Sequence, residues 1–419
     1  MNFNRLSLCS HAFLLPLPQI MKRKVLYIVL ICLLSVLQMI AVARPISNTD
    51  SIQISLLTCS PGQEVWAQYG HTAVRYWNKT NGEDFAINYG IFSPNQSYFI
   101  PRFILGLTDY HMGVEPMSSF LAQYDYEGRG VVEQVLDISI EDKEAILKAL
   151  EENIKPENTV YRYNFFYDNC TTRARDLIVN HLHDKVIYPK AQEDATFRSM
   201  IHKWNHSFPW TKFGEDLLLG VNADRRTTKS EQQFLPENLK NDFEKTIYNG
   251  HWLVKSTHVL LVPKQMTQTS GFPIPPLIMA LFLASINLII DIIYYRKHQA
   301  YWIWDTTLLV LSGALGLIFF IMIFSQHPCV SLNTIILFFN PLPFLFLHKT
   351  IQKSRRQEYN SWWLIWGILI TLGFIGTIFQ YVPSPARIMA LSLLIHCIIH
   401  LLIDKPTSIR PGQTNERNE

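Results

Sequence analysis

The residues of this chain with the clearest chemical potential are a cysteine, Cys170, a histidine, His71, and two polar residues, Asn88 and Asp168. Cys170 stands in YRYNFFYDNCTTRARD, residues Tyr161 to Asp176. After it, Ala174, Leu177, Ile178 and Leu182 recur at helical spacing, and Asp168 or Asn169 is placed to cap the helix. Cys170 therefore falls in the first helical turn. There the unpaired backbone N–H groups and the positive dipole end favour thiolate over thiol, the form that acts as a nucleophile. Arg173 adds positive charge nearby. The bland alternative is a disulfide between Cys170 and Cys59 in an oxidising compartment.

His71 must be positioned by strands. Ile52 to Thr58 reads as a strand, Pro61-Gly62 turns the chain, and Cys59 falls in the loop between Thr58 and Ser60-Pro61. Thr72 to Trp77 and Phe85 to Tyr89 flank Asn81-Gly82, a strong hairpin signal. His71 then opens one strand, and Asn88 lies on its partner. Gly130 to Leu136 is a further strand. Ser139-Ile140-Glu141-Asp142 caps a helix whose Ile146, Leu147, Leu150 and Ile154 share a face until Pro156. Strands and helices mix without βαβ alternation, which predicts an α+β domain. A cysteine on a helix, a histidine on a sheet and a third polar residue orienting the imidazole resembles the papain-like arrangement. With the histidine first in the chain, it is similar to circularly permuted papain-like proteins, including the lecithin:retinol acyltransferase-like group. Asn88 is the first choice for the third member and Asp168 the second.

The rest of the chain says where such a domain sits. Thirty-seven Lys and Arg against 34 Asp and Glu leave a charge of +3, too balanced to point to nucleic acid. The chain is 48% hydrophobic and 17% charged, with the apolar excess at its two ends, which excludes a purely soluble enzyme. Met21-Lys22-Arg23-Lys24, an uncharged run from Val25 to Val42 and Ala41-Val42-Ala43 before Arg44-Pro45 read as a signal peptide over 21–43, with 1–20 a mis-start. An uncleaved anchor is the alternative, and either puts the domain beginning at Arg44 outside the cytoplasm.

From Pro276 onward there are five apolar stretches: Pro276 to Tyr295, Ile303 to Phe324, Leu332 to Leu347, Trp362 to Phe379 and Ala386 to Ile403. The third is the shortest and is weakened by Asn340-Pro341. Basic residues follow the first, third and fifth stretches, while 325–331 and 380–385 carry neither Lys nor Arg. The outer domain and these two loops are expected to share the non-cytoplasmic side, with the C-terminus in the cytoplasm. The expected organisation is a signal peptide, an outer domain over 44–263, a linker over 264–275, an all-α membrane domain over 276–403 and a cytoplasmic tail over 404–419. Of six cysteines, Cys9 and Cys32 fall in the leader and Cys329 and Cys397 in or beside the spans, so the outer domain keeps only Cys59 and Cys170.

Other candidates are weaker. His202 and His206 are spaced like metal ligands on a helix, and His181 and His183 straddle Leu182, but no Glu completes a metalloprotease pattern. Asn78, Asn95, Asn169 and Asn205 begin acceptor sequons, although capping explains Asn169. Asp291, His396 and His400 are ionisable residues within the spans, and the two histidines share a helix face. Nearness to the cytoplasmic interface would account for Asp291 and His400 without a function. His327-Pro328 faces the side of the outer domain, where a lipid head group or an incoming lipoprotein would sit.

The strings LLTCSPGQEVWAQYGHTAVRYW, Ile87-Asn88-Tyr89-Gly90, YRYNFFYDNCTTRARD, Asp216-Leu217-Leu218-Leu219-Gly220 and Phe234-Leu235-Pro236, with the multi-span tail, resemble the bacterial Lnb-type lipoprotein N-acyltransferases. The resemblance implies a periplasmic thiol-dependent domain joined to a small membrane domain of about five helices in the inner membrane. It implies a phospholipid acyl donor, a lipoprotein acceptor, Cys170 as nucleophile and His71 as base, and no metal or organic cofactor. A membrane-tethered cysteine hydrolase of lipid esters or cell-wall peptides would use the same residues. A non-catalytic receptor or assembly factor with a Cys59–Cys170 bridge is the third reading.

Overall fold

The computed structural model describes residues 51–93, 95, 97–264 and 272–403. The leader, most of the linker and the tail after Ile403 lie outside the described residues.

Runs rich in apolar and β-branched residues build one antiparallel sheet from β1 (Ile52–Cys59), β2 (His71–Asn78), β3 (Glu83–Ile91), β4 (Asp109–Pro116), β5 (Val131–Leu136), β6 (Val160–Arg162) and, after a short ribbon of β7 (Ile247–Tyr248) and β8 (His251–Trp252), β9 (Val254–Leu261). The strand order is β6-β4-β3-β2-β1-β5-β9. The β2–β3 hairpin turns at Asn81-Gly82, where Gly82 has φ +78, and pairs Ala73 with Asn88. β1 pairs with β2 so that Cys59 faces His71 across the ladder. Cys59 is thus the last residue of a strand and not a loop residue: the ladder extends one position beyond the apolar run because His71 supplies its partner.

Helices cover both faces of this sheet. On one face α3 (Ile140–Asn153), α4 (Cys170–Val179) and α8 (Pro236–Glu244) set Ile146, Ala174, Leu177 and Phe243 against Ile54, Leu56, Val74 and Ile87. On the other, α2 (Met117–Tyr126) lays Phe120 and Tyr124 on Leu57, Ala73 and Ala86. Each buried Ile, Leu, Val or Phe among these contributes roughly 1.5–3 kcal/mol. The Ser139 capping box on α3 forms as expected, but Ile154 is the C-cap and is exposed, because the chain leaves the helix before Pro156. Short helices α1 (Phe99–Ile104), α5 (Phe197–Asn205), α6 (Pro209–Leu218) and α7 (Lys229–Gln232) complete this α+β part.

The C-terminal part is helical: α9 (Pro276–Lys297), α10 (Trp302–Met322), α11 (Pro343–Arg356), α12 (Ser361–Gly376) and α13 (Ser384–Ile403). Helices α9, α10 and α13 are long and apolar enough to cross a membrane, and α12 is a shorter apolar helix. The third apolar stretch is not one helix. It forms a 3-10 turn over Thr334–Leu337, breaks at Asn340-Pro341, and resumes as α11, displaced toward the basic Lys353, Arg355 and Arg356. Proline cannot continue a helix from the preceding turn, and at the first position of α11 Pro343 suits a start.

The α+β part rests on the loops at one end of these helices. Leu105 O accepts from Gln326 N at 2.9 Å and Cys329 O from Gly220 N at 2.8 Å, while Gln380 Nε2 donates to Leu219 O at 3.1 Å. Both contacting loops are the ones that lack Lys and Arg.

Candidate functional site

The helix that carries Cys170 begins where expected, and Asn169 is the cap: its Oδ1 accepts from Thr171 N and Thr172 N, each at 2.9 Å. Asp168 turns elsewhere, clamping Arg173 at 2.6 and 2.8 Å, and the Arg173 guanidinium lies 3.5 Å from the Tyr161 ring centre. Thr171 Oγ1 meets Thr72 Oγ1 at 3.1 Å, which ties the first turn of α4 to the start of β2. That bond between residues 99 apart sets Cys170 beside His71.

His71 and the Cys170 sulfur are close enough to couple electrostatically. The Nε2 of His71 lies 3.0 Å from Asn88 Oδ1, and Asn88 Nδ2 donates to Glu115 Oε1 at 2.7 Å. Cys170 and His71 are partly exposed, whereas Asn88 is buried. Burial alone would favour the neutral thiol. The His71 charge, helped by the Thr72 backbone N–H and the Thr171 hydroxyl, outweighs burial and brings Cys170 down to about 7. Burial likewise disfavours a charged imidazole, but the Cys170 sulfur and Asn88 raise His71 above its ordinary value. Burial raises the Glu115 carboxyl, against the pull of Asn88 and His71.

Two glycines make room for this arrangement. Gly70, with φ +83, precedes His71 where an added Cβ would fall 2.6 Å from Cys59 O. Gly90, with φ +88, presents bare backbone to the thiol, since a Cβ there would lie 3.5 Å from Cys170 Cβ and 3.8 Å from the Tyr161 hydroxyl. The Tyr161 hydroxyl is buried without a hydrogen-bond partner, and burial raises it well above its ordinary range.

A cleft of about 600 Å³ opens over His71 and Gly90, with Trp66, Phe92, Tyr124 and Arg129 among its walls. From it an aromatic series leads away: Trp66 to Phe92 at 5.9 Å, Phe92 to Tyr110 at 4.8 Å, Tyr110 to Tyr163 at 4.0 Å and Tyr163 to Phe103 at 6.2 Å. The series ends at His327 on the loop after α10, which packs 4.4 Å from Phe165 and hydrogen-bonds Phe103 O through Nε2 at 2.9 Å. His327 is buried and not open to a head group, and that burial lowers it.

Cys59 and Cys170 are free thiols. Burial pushes Cys59 up to about 12, the opposite direction from Cys170. His202 binds Asp216 at 2.7 Å and His206 the Lys203 carbonyl at 3.1 Å, while His181 and His183 bond Leu177 O and Asp142, both at 2.7 Å. Neither pair converges on a common point. Glu115, Tyr161 and the aromatic series escaped sequence reasoning: Glu115 could have been found as the partner of Asn88 once β4 was paired with β3, but Tyr161 reads locally as a core aromatic.

Fold and site together define a membrane-integral protein whose α+β domain carries a cysteine–histidine–asparagine constellation. The Lnb N-terminal periplasmic domain matches residues 42–201 and the Lnb transmembrane domain matches residues 267–407. The chain belongs to the Lnb-type lipoprotein N-acyltransferase family, and its N-terminal domain is periplasmic, joined to an inner-membrane helical domain. No curated protein and no solved structure matches it.

Proposed function

We propose that this chain moves an acyl chain from a membrane phospholipid, through a thioester on Cys170, to the α-amine of a lipoprotein's lipidated N-terminal cysteine. Cys170 thiolate attacks the ester carbonyl carbon, forming the C–S bond and an oxyanion. Collapse of the oxyanion breaks the ester C–O bond, and His71 gives its proton to the departing lysophospholipid oxygen. The acceptor amine then attacks the thioester carbonyl, His71 takes the amine proton, and the C–S bond breaks to restore the thiolate. Asn88 orients the imidazole, with Glu115 behind it. Two donors face the developing oxyanion: the Cys170 backbone N–H, which the Asn169 side chain does not take, and the Tyr161 hydroxyl.

The observation that carries this reading is the placement of His71 beside Cys170 at a helix N-terminus, fixed by the Thr72–Thr171 contact at 3.1 Å, with the thiol held at about 7. The lipid part draws support from the cleft over His71, part of whose wall is the apolar Trp66 and Phe92, and from the aromatic packing that joins this wall to the loop after α10. A site shielded by such walls favours aminolysis over hydrolysis. The spans hold the domain at the bilayer, where both lipid-bearing substrates are confined, and the alternating loop charges support a cytoplasmic C-terminus.

Mass spectrometry of lipoprotein amino termini tests it. Cells with the protein should carry N-acylated termini, and cells without it free α-amines. Unchanged N-acylation in its absence, or release of free fatty acid by the protein without any N-acylated product, would overturn the proposal.

A further inference from the structure

The membrane helices hold a second cluster of reactive side chains, and proximity to the interface does not explain it. Asp291, Asp305, His396 and His400 all turn inward and are at most 1% exposed. His396 Nδ1 lies 2.6 Å from Asp291 Oδ1, and Asn287 Nδ2 holds the other oxygen of Asp291 at 3.1 Å. That leaves His396 Nε2, which has no hydrogen-bond partner and points toward Asp305 Oδ1 at 3.4 Å. His400 Nε2 hydrogen-bonds the same oxygen at a long 3.2 Å. The carboxylate of Asp305 is fixed by the Ser354 hydroxyl, which donates to Oδ2, and by the Tyr294 hydroxyl, which donates to Oδ1 at 2.9 Å.

We propose that Asp305 Oδ1, His396 Nε2 and His400 Nε2 bind a divalent transition-metal ion, zinc foremost, that clasps α10 to α13. Three features support the assignment. The first is spacing: these three ligand atoms lie within 4.8 Å of one another, and the two nitrogen–oxygen separations of 3.4 and 3.2 Å match the edges of a tetrahedron with metal–ligand bonds of about 2.0–2.1 Å. Both are longer than the roughly 2.7–2.9 Å of a charge-assisted hydrogen bond, although the neighbouring His396–Asp291 contact closes to 2.6 Å.

The second feature is the outer shell. A metal-bound histidine typically donates its other ring N–H to a carboxylate, which fixes the tautomer and turns the free nitrogen to the ion, and Asp291 occupies that place on His396. The third is charge. The imidazoles of His396 and His400 lie 4.8 Å apart between ring centres, so neutralising Asp291 and Asp305 with protons on both rings would set two cations side by side in an apolar bundle. One divalent ion between neutral imidazoles balances both carboxylates without that repulsion. Nitrogen and carboxylate ligands suit zinc and its transition-metal neighbours better than calcium or magnesium.

The site also draws in the remaining helices, since Ser354 belongs to α11 and Trp363 of α12 stacks on His400 at 4.1 Å. The ion takes no part in acyl transfer, so this assignment stands apart from the function proposed above.

The test is elemental analysis of the full-length protein purified in detergent without chelator. About one transition-metal ion per chain is expected, with X-ray absorption showing only nitrogen and oxygen ligands at about 2.0–2.1 Å. Asp305→Asn and His400→Gln should each fall below a tenth of the wild-type content, whereas His206→Gln should keep it. If the membrane variants do not fold, stoichiometry and absorption spectra of the wild-type protein decide alone. Wild-type protein with less than a tenth of an equivalent of transition metal, sulfur in the coordination shell, or folded variants that retain full metal would each overturn the assignment.

Discussion

His71 Nε2 lies 3.0 Å from Asn88 Oδ1, and Asn88 in turn donates to Glu115 at 2.7 Å, so the imidazole is held by an amide that is itself anchored on the next strand. A neutral amide can fix the ring without competing with the thiol for its proton. Asn88→Ala should therefore lower kcat by roughly 10- to 100-fold, the rate equivalent of about 1–3 kcal/mol for a lost buried hydrogen bond. KM should move little. Acyl-transfer kinetics on a folded variant check this, and an unchanged kcat would remove Asn88 from the mechanism.

Incubation with a phospholipid bearing a labelled acyl chain, in the absence of lipoprotein acceptor, should leave label on Cys170 as a hydroxylamine-sensitive thioester that acceptor then discharges. Cys170→Ala should accumulate none. Cys59→Ala should still label, because burial holds that thiol at about 12. Label on Cys59 in the wild-type protein would mean the wrong cysteine has been assigned.

The reactivity of Cys170 should depend on pH with an inflection near 7. A lowered thiol pKa means that thiolate is present above that inflection and lost as pH falls through it, whereas an ordinary cysteine stays protonated until about 8.5. His71 and Cys170 titrate as a coupled pair, so the inflection belongs to both. Alkylation rates measured from pH 5 to 10 should show it. His71→Gln should move the inflection up toward the ordinary thiol range and lower turnover by roughly 10² or more; an inflection that stays near 7 in that variant would show that His71 does not activate the thiol.

Gly90→Ala should harm both fold and site. The position has φ +88, where an L side chain costs about 1–2 kcal/mol, and the new methyl would cover the bare backbone beside the thiol, in van der Waals contact with Cys170 and the Tyr161 hydroxyl at 3.5 and 3.8 Å. Thermal unfolding should register the strain and the alkylation rate of Cys170 should fall, whereas Gly82→Ala at the open hairpin turn, also at positive φ, should lower stability alone. Equal effects of the two on alkylation would separate Gly90 from the site.

A reporter fused after Pro263 should behave as exported, and one fused at the C-terminus as cytoplasmic, because Arg296, Lys297, Lys349, Lys353, Arg355 and Arg356 mark alternate loops. Export of the C-terminal reporter would require an even number of crossings and a different path for α11.

Much of the site is legible locally. Asn169 caps α4 and Asn81-Gly82 turns the hairpin because both signals act within a few residues, which is why Cys170 falls in a first helical turn and His71 at a strand start. The choice between Asn88 and Asp168 is different in kind. Arg173, five residues along, captures Asp168, and that competition is visible only when the side chains have places.

The sequence by itself determined the α+β class, the apolar segments, the alternation of basic loops and the local setting of the thiol, since periodicity, capping and turn chemistry are short-range. Only the tertiary structure decided that Cys59 closes a strand opposite His71, that Glu115 stands behind Asn88, that the third apolar stretch breaks into a 3-10 turn and a shifted helix, and that Asp291 meets His396 across 105 residues. Those outcomes depend on partners far apart in the chain, and a buried polar group acquires its hydrogen bond only when the core that excludes water has closed around it.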